Sequence, residues 1–142
     1  MSDMFVIEPI GRVRSELVDL DAAPLQGDEG APAAWLDLLP RFAPALERLA
    51  IGDELVVLTW LHRAQRTVLR VHPRNDATLP LTGVFATRSQ DRPNPVGLHQ
   101  VRVIEVAATS LKVSPLEAID GTPLVDIKIA LRGQFSSVSR QN

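Results

Sequence analysis

The stretch GVFATRSQDRPNPVGL, Gly83–Leu98, concentrates residue types that hold ligands. Arg88 and Arg92 carry planar forks of donors suited to a carboxylate or a phosphate. Asn94 carries both a donor and an acceptor. Pro93 and Pro95 fix φ on either side of it and remove two N–H groups. Pro95 also pushes Asn94 toward extended backbone. Gly97 then admits a conformation that other residues avoid. Such a loop is stiff and presents Arg88, Arg92 and Asn94 at set angles, as a preorganised site requires. The plain alternative is a proline-rich turn between two strands.

Charge extends the pattern. The chain has a net charge of −2. Between Trp60 and Arg92, however, stand Arg63, Arg66, Arg70, Arg74, Arg88 and Arg92 against only Asp76 and Asp91. Of these, Arg63, Arg66, Arg70 and Arg74 extend an anion-binding surface or, equally, form a solvated strand face. Further on, Asp120-Gly121-Thr122-Pro123 forms a turn before Val125-Asp126-Ile127-Lys128. The alternation places Asp126 and Lys128 on one strand face, where an exposed pair is worth little. There is no cysteine, which excludes disulfides and thiolate–zinc sites. His62, His72 and His99 lack ligand spacing, so no metal is expected.

The elements that must position these residues are mostly strands. Phe5–Val13 reads as an edge strand with a bend. Leu17–Pro32 reads as a long acidic loop, and Ala33–Leu39 as strand or helix. Pro40–Leu49 has Phe42, Leu46 and Leu49 at helical spacing. Strand patterns follow at Glu54–Leu61, Arg66–Val71, Gly83–Ala86, Val101–Val106, Leu111–Val113 and Pro123–Leu131. Many short strands with little helix indicate a barrel or a sandwich. A length of 142 residues suits one domain. We expect it over residues 1–135, with a flexible tail over 136–142. No apolar leader or membrane-spanning run is visible, and a soluble, cytoplasmic protein is expected.

Taken in order, Ile10-Gly11 with Ser15, Pro24-x-Gln26, Trp60-Leu61-His62, GVFATRS-x-x-RPNP-x-GL and DGTP-x-x-DIK resemble the TsaA/TrmO family, also called VirR-like. The resemblance runs from about Ile10 to Ile129. It implies a mainly β protein, a single-sheet β-barrel of about seven strands with one or two short helices. It also implies a homodimer with the cofactor near the interface. The implied activity is S-adenosylmethionine-dependent methylation of N6 of threonylcarbamoyladenosine beside the tRNA anticodon.

Cofactor contacts implied by the resemblance fall on Gln26, Gly27, His62, Arg63, Arg88, Leu98, Ile119 and Asp120. Arg92 and Arg66 are candidates for substrate phosphate or the threonyl carboxylate. Asp126 is the candidate general base, oriented by Lys128 or Asn94. Leu25 stands where the family usually has arginine, and Ile129-Ala130 where it has Pro-Tyr. Other readings are a methyltransferase with another acceptor, a non-catalytic cofactor-binding module, and a hydrolase using Ser89 with His99 and a carboxylate. No nucleophile-elbow pattern accompanies the last.

Overall fold

A computed structural model describes residues 3–18 and 31–131. Gln26, Gly27 and the expected tail at 136–142 lie outside the described residues.

The strands are β1 (Gly11–Arg14), β2 (Ala34–Leu38), β3 (Glu54–Trp60), β4 (Arg70–Val71), β5 (Thr82–Gly83), β6 (Val96–Val106), β7 (Ser110–Ser114) and β8 (Pro123–Ile129). Six of these described strands close into an antiparallel barrel in the order β1-β2-β7-β6-β3-β8, with β8 pairing back to β1. β4 and β5 form a separate two-stranded ribbon. Alternation decides which side chains point inward. On β3 the inward residues are Leu55, Val57 and Thr59, and on β6 they are Gly97, His99, Val101 and Val103. With Val13, Leu36, Leu111, Val113, Leu116 and Leu124 they fill the barrel, as a small barrel requires.

Several elements depart from the sequence pattern for local reasons. The helical spacing at Pro40–Leu49 yields a 3-10 helix over Pro40–Leu46. Pro44 inside it lacks the N–H that an α-helix would use. Leu46 still points inward and joins the core. The expected strand Arg66–Val71 shrinks to Arg70–Val71, and Arg66 uses its side chain to hold the Pro93 carbonyl. Gly83–Ala86 is not a strand. The chain pairs at Thr82–Gly83, then turns through a 3-10 helix at Val84–Ala86. The first strand begins only at Gly11, where an added Cβ would lie 2.1 Å from the Asp37 carbonyl oxygen. Hence only glycine lets β1 approach β2 this closely. β6 starts at Val96, five residues earlier than its apolar pattern indicated, directly after Pro95.

A cationic cavity with a buried Glu–His–Thr chain

One end of the barrel opens into a cavity of about 260 Å³. It lies near the lower end of small-molecule sites, roughly 300–1,000 Å³. Its walls come from the segment just after β3, the loop before β6, the first residues of β6 and the β7–β8 connection.

The loop before β6 is braced from within. Arg92 Nε donates to the Ser89 carbonyl at 2.7 Å, and its Nη2 donates to Val84 and Thr87 carbonyls at 2.9 and 2.7 Å. Thr87 Oγ1 donates to the Val84 carbonyl as well. Outside, Arg66 donates to the Pro93 carbonyl at 2.7 Å and to Asn94 Oδ1 at 2.9 Å, while its guanidinium lies over the Trp60 ring. Gln65 N–H donates to Asp91 Oδ1, and Arg92 N–H donates to the Gln65 carbonyl. Two arginines therefore hold the loop in shape, and Arg88, Ser89 and Gln90 line the cavity.

Arg88 has no hydrogen-bond or ion-pair partner among the described residues, so its fork is available to a ligand. Arg63 stands on the same rim, with one long contact to the Val18 carbonyl at 3.4 Å. His62 also lines the cavity and has its pKa lowered, first by desolvation and then by the positive charges of Arg63 and Arg12. The rim thus favours an anion. Leu61, Val96, Leu98, Ala118 and Ile119 supply apolar wall.

Glu117 is the one carboxylate among the lining residues. Its Oε1 lies 2.6 Å from His99 Nδ1, and His99 Nε2 lies 2.7 Å from Thr59 Oγ1. A carboxylate only accepts, so Nδ1 carries the proton and donates; Nε2 then accepts from the threonine hydroxyl. Thr59 is fully buried and His99 is 5% exposed. Gly97 faces Thr59 across the strand pair. A Cβ on Gly97 would lie 2.4 Å from Thr59 Oγ1 and 2.7 Å from His99 Nε2. The glycine is needed for room; its φ is not in the left-handed region, contrary to the conformational role its sequence context indicated.

The structure brings together His62, Arg63, Arg88, Leu98 and Ile119 from the expected cofactor set. Asp120 sits beside the cavity, exposed, where its carboxylate accepts the Ser15 N–H and its own N–H donates to the Leu17 carbonyl. It anchors the chain at the edge of the segment that contains Gln26. Arg92 lines the cavity, but three of its donor contacts are spent on its own loop. Arg66 and Asn94 face each other instead of the cavity.

Asp126 and Lys128 are not brought to the cavity. They pair at 3.1 Å on the outer face of β8. Asp126 is level with Leu58, which is level with Leu98. That leaves two strand spacings, roughly 10 Å, between the Asp126 and Leu98 backbones. Ser89 and His99 do not make a hydrolase pair, because Nε2, the nitrogen that would serve the serine, is taken by Thr59. Sequence reasoning missed Glu117 and Thr59. The available signal was two polar residues, Thr59 and His99, on the inward phase of otherwise apolar strands.

Residues 12–132 match the sequence profile of the tRNA-methyltransferase O N-terminal domain. The chain belongs to this family. A protein of Methanothermobacter thermautotrophicus whose name describes it as S-adenosyl-L-methionine-binding is 42% identical over 129 residues, covering 90% of this chain and 92% of that protein. An S-adenosyl-L-methionine-binding protein of Archaeoglobus fulgidus is 37% identical over 123 residues, covering 87% of each. The crystal structure of TrmO from Pseudomonas aeruginosa superposes with a TM-score of 0.73 at 33% identity. It covers 92% of this chain, which spans only 56% of that TrmO chain. The closed barrel described above is therefore the barrel of the tRNA-methyltransferase O N-terminal domain.

Proposed function

We propose that this chain binds S-adenosylmethionine in the cationic cavity and transfers its methyl group to tRNA, at N6 of threonylcarbamoyladenosine beside the anticodon. The observation that carries this reading is the unpartnered Arg88 fork beside an apolar wall, in a cavity built by the family's own loop.

The residues fit such a cofactor. Arg88 and Arg63 would hold its carboxylate, which favours paired or multiple cationic donors. Leu98 and Ile119 would flank its adenosine. When bound, the cofactor supplies an electrophilic methyl group on a sulfonium. The chain's own residues then orient the acceptor nitrogen in line with that methyl and exclude water. The outer face of β6 exposes Val96 and Leu98 beside the cavity. In our reading a second copy covers these two residues, so that the cofactor lies near a homodimer interface, and the enzyme works in the cytoplasm.

The test is calorimetric binding of S-adenosylmethionine, followed by labelled-methyl transfer to tRNA with and without the threonylcarbamoyl group. Transfer confined to the modified tRNA is expected. Transfer to unmodified tRNA would redirect the acceptor, and binding without transfer to any RNA would make the chain a binding module.

A further inference from the structure

Beyond donor binding, the cavity holds a device that the proposed reaction needs and that none of the expected catalytic residues provides. The acceptor nitrogen carries a proton that must leave as the new bond forms. Asp126, the sequence candidate for accepting it, is on the outer wall and tied to Lys128. Glu117 is on the cavity wall. Its Oε1 is held by His99, and its Oε2 has no hydrogen bond among the described residues.

We propose that Glu117 is the general base of the methyl transfer, with His99 and Thr59 as positioning residues that set the direction of its free oxygen. This deepens the methyltransferase reading and rests on it. In the step, the nitrogen lone pair forms the N–C bond to the methyl carbon. The C–S pair stays with sulfur, which becomes a neutral thioether. The nitrogen's proton passes to Glu117 Oε2, and from there to water when the product leaves.

Two features separate this from a structural polar cluster. The first is cost. Placing an imidazole and a hydroxyl on the inward face of a barrel, with a carboxylate against them, sacrifices desolvation energy that an apolar trio would not. The neighbouring inward positions Leu55, Val57, Val101 and Val103 are all apolar and wholly buried or nearly so. The second is connectivity. Among the described residues no buried polar atom of this trio lacks a partner, and the one carboxylate oxygen without a hydrogen bond belongs to a residue that lines the cavity. A base held at a fixed angle by a second hydrogen-bonded group is the arrangement that proton transfer in a transition state requires.

The experiment compares wild type with Glu117→Gln, which keeps the shape and the acceptor for His99 but cannot take a proton. Calorimetry should give the same S-adenosylmethionine affinity within about threefold. The single-turnover methylation rate should fall by roughly 10²–10⁴-fold. A Glu117→Gln rate equal to wild type overturns the assignment. So does a Glu117→Gln protein that no longer binds the cofactor, since Glu117 would then be a cofactor ligand.

Thr59→Val should lower kcat by about tenfold with KM for tRNA unchanged, and Thr59→Ser should restore it, in keeping with ordinary hydrogen-bond strengths. A readout free of turnover is long-range proton–nitrogen NMR of the unliganded protein. His99 should carry its proton on Nδ1, and Thr59→Val should shift the Nε2 resonance; a proton on Nε2 instead would overturn the positioning role. Wild type that binds no S-adenosylmethionine and methylates no tRNA would overturn the methyltransferase reading itself, and this assignment with it. Wild type that does both leaves Glu117 to be judged by its own variant.

Discussion

Leu55 and Thr59 occupy the same inward face of β3, one near each end of the barrel, and both are fully buried. Leu55 is level with Val101 and packs in an apolar cluster that Leu46 plugs from the 3-10 helix. Thr59 is level with Gly97 and spends its hydroxyl on His99. The same pair of strands thus builds a stabilising end and a chemical end. The β3–β6 register runs unbroken from one to the other, and the side chains on the inward phase change from apolar to polar. Stability and chemistry should therefore separate by position along β3 and β6.

The largest separation is expected from Leu55→Ala. It should cost about 2–5 kcal/mol in denaturant unfolding, through lost burial and a cavity, while the folded fraction keeps its cofactor affinity. Loss of affinity at low temperature, where the variant is folded, would break the distinction. At the other end, Arg88→Ala should leave the unfolding midpoint nearly unchanged and weaken S-adenosylmethionine binding by about 10–100-fold, the worth of charge-assisted hydrogen bonds. Wild-type calorimetry in that variant would remove Arg88 from the site.

Gly97→Ala lies at the boundary and should do both. The added methyl meets Thr59 Oγ1 and His99 Nε2. Overpacking of this kind typically costs about 1–3 kcal/mol, and the methylation rate should fall alongside. An alanine variant with wild-type stability and rate would mean that the Glu117–His99–Thr59 chain tolerates displacement.

A smaller effect concerns pH. Burial and the charges of Arg63 and Arg12 lower the His62 pKa in the folded state. Between the folded and unfolded pKa values the unfolded chain binds more protons. Stability therefore falls as pH drops through the unfolded value, near 6.5. His62→Gln should flatten that part of the stability profile, as measured by unfolding midpoints across pH. The smallest effect is expected from Asp126→Asn, which removes an exposed ion pair on the outer wall; stability and methylation rate should both stay within error.

These contrasts also mark what was legible in the sequence. Alternation revealed β3, β7 and β8, and the proline-flanked loop pointed to the cavity through Arg88. It could not say which guanidinium faces a ligand and which its own backbone, so Arg92 and Arg66 looked like Arg88. Alternation correctly put Asp126 and Lys128 on one face, but not on which side of the wall. Glu117 was illegible for another reason. It lies in SPLEAID, a segment without period, and its partners His99 and Thr59 come from other strands that only barrel closure brings near.

Closure has a kinetic consequence. Gly11 pairs with Leu124, and β3 sits between β6 and β8, so the barrel is sealed by elements from opposite ends of the chain. Contacts of such long sequence separation form late and slowly. Glu117 enters from the connection into β8, the strand that completes the seal. On refolding, cofactor binding should therefore lag behind the appearance of strand structure, and the recovery of the pocket would serve as a clock for the final step of assembly.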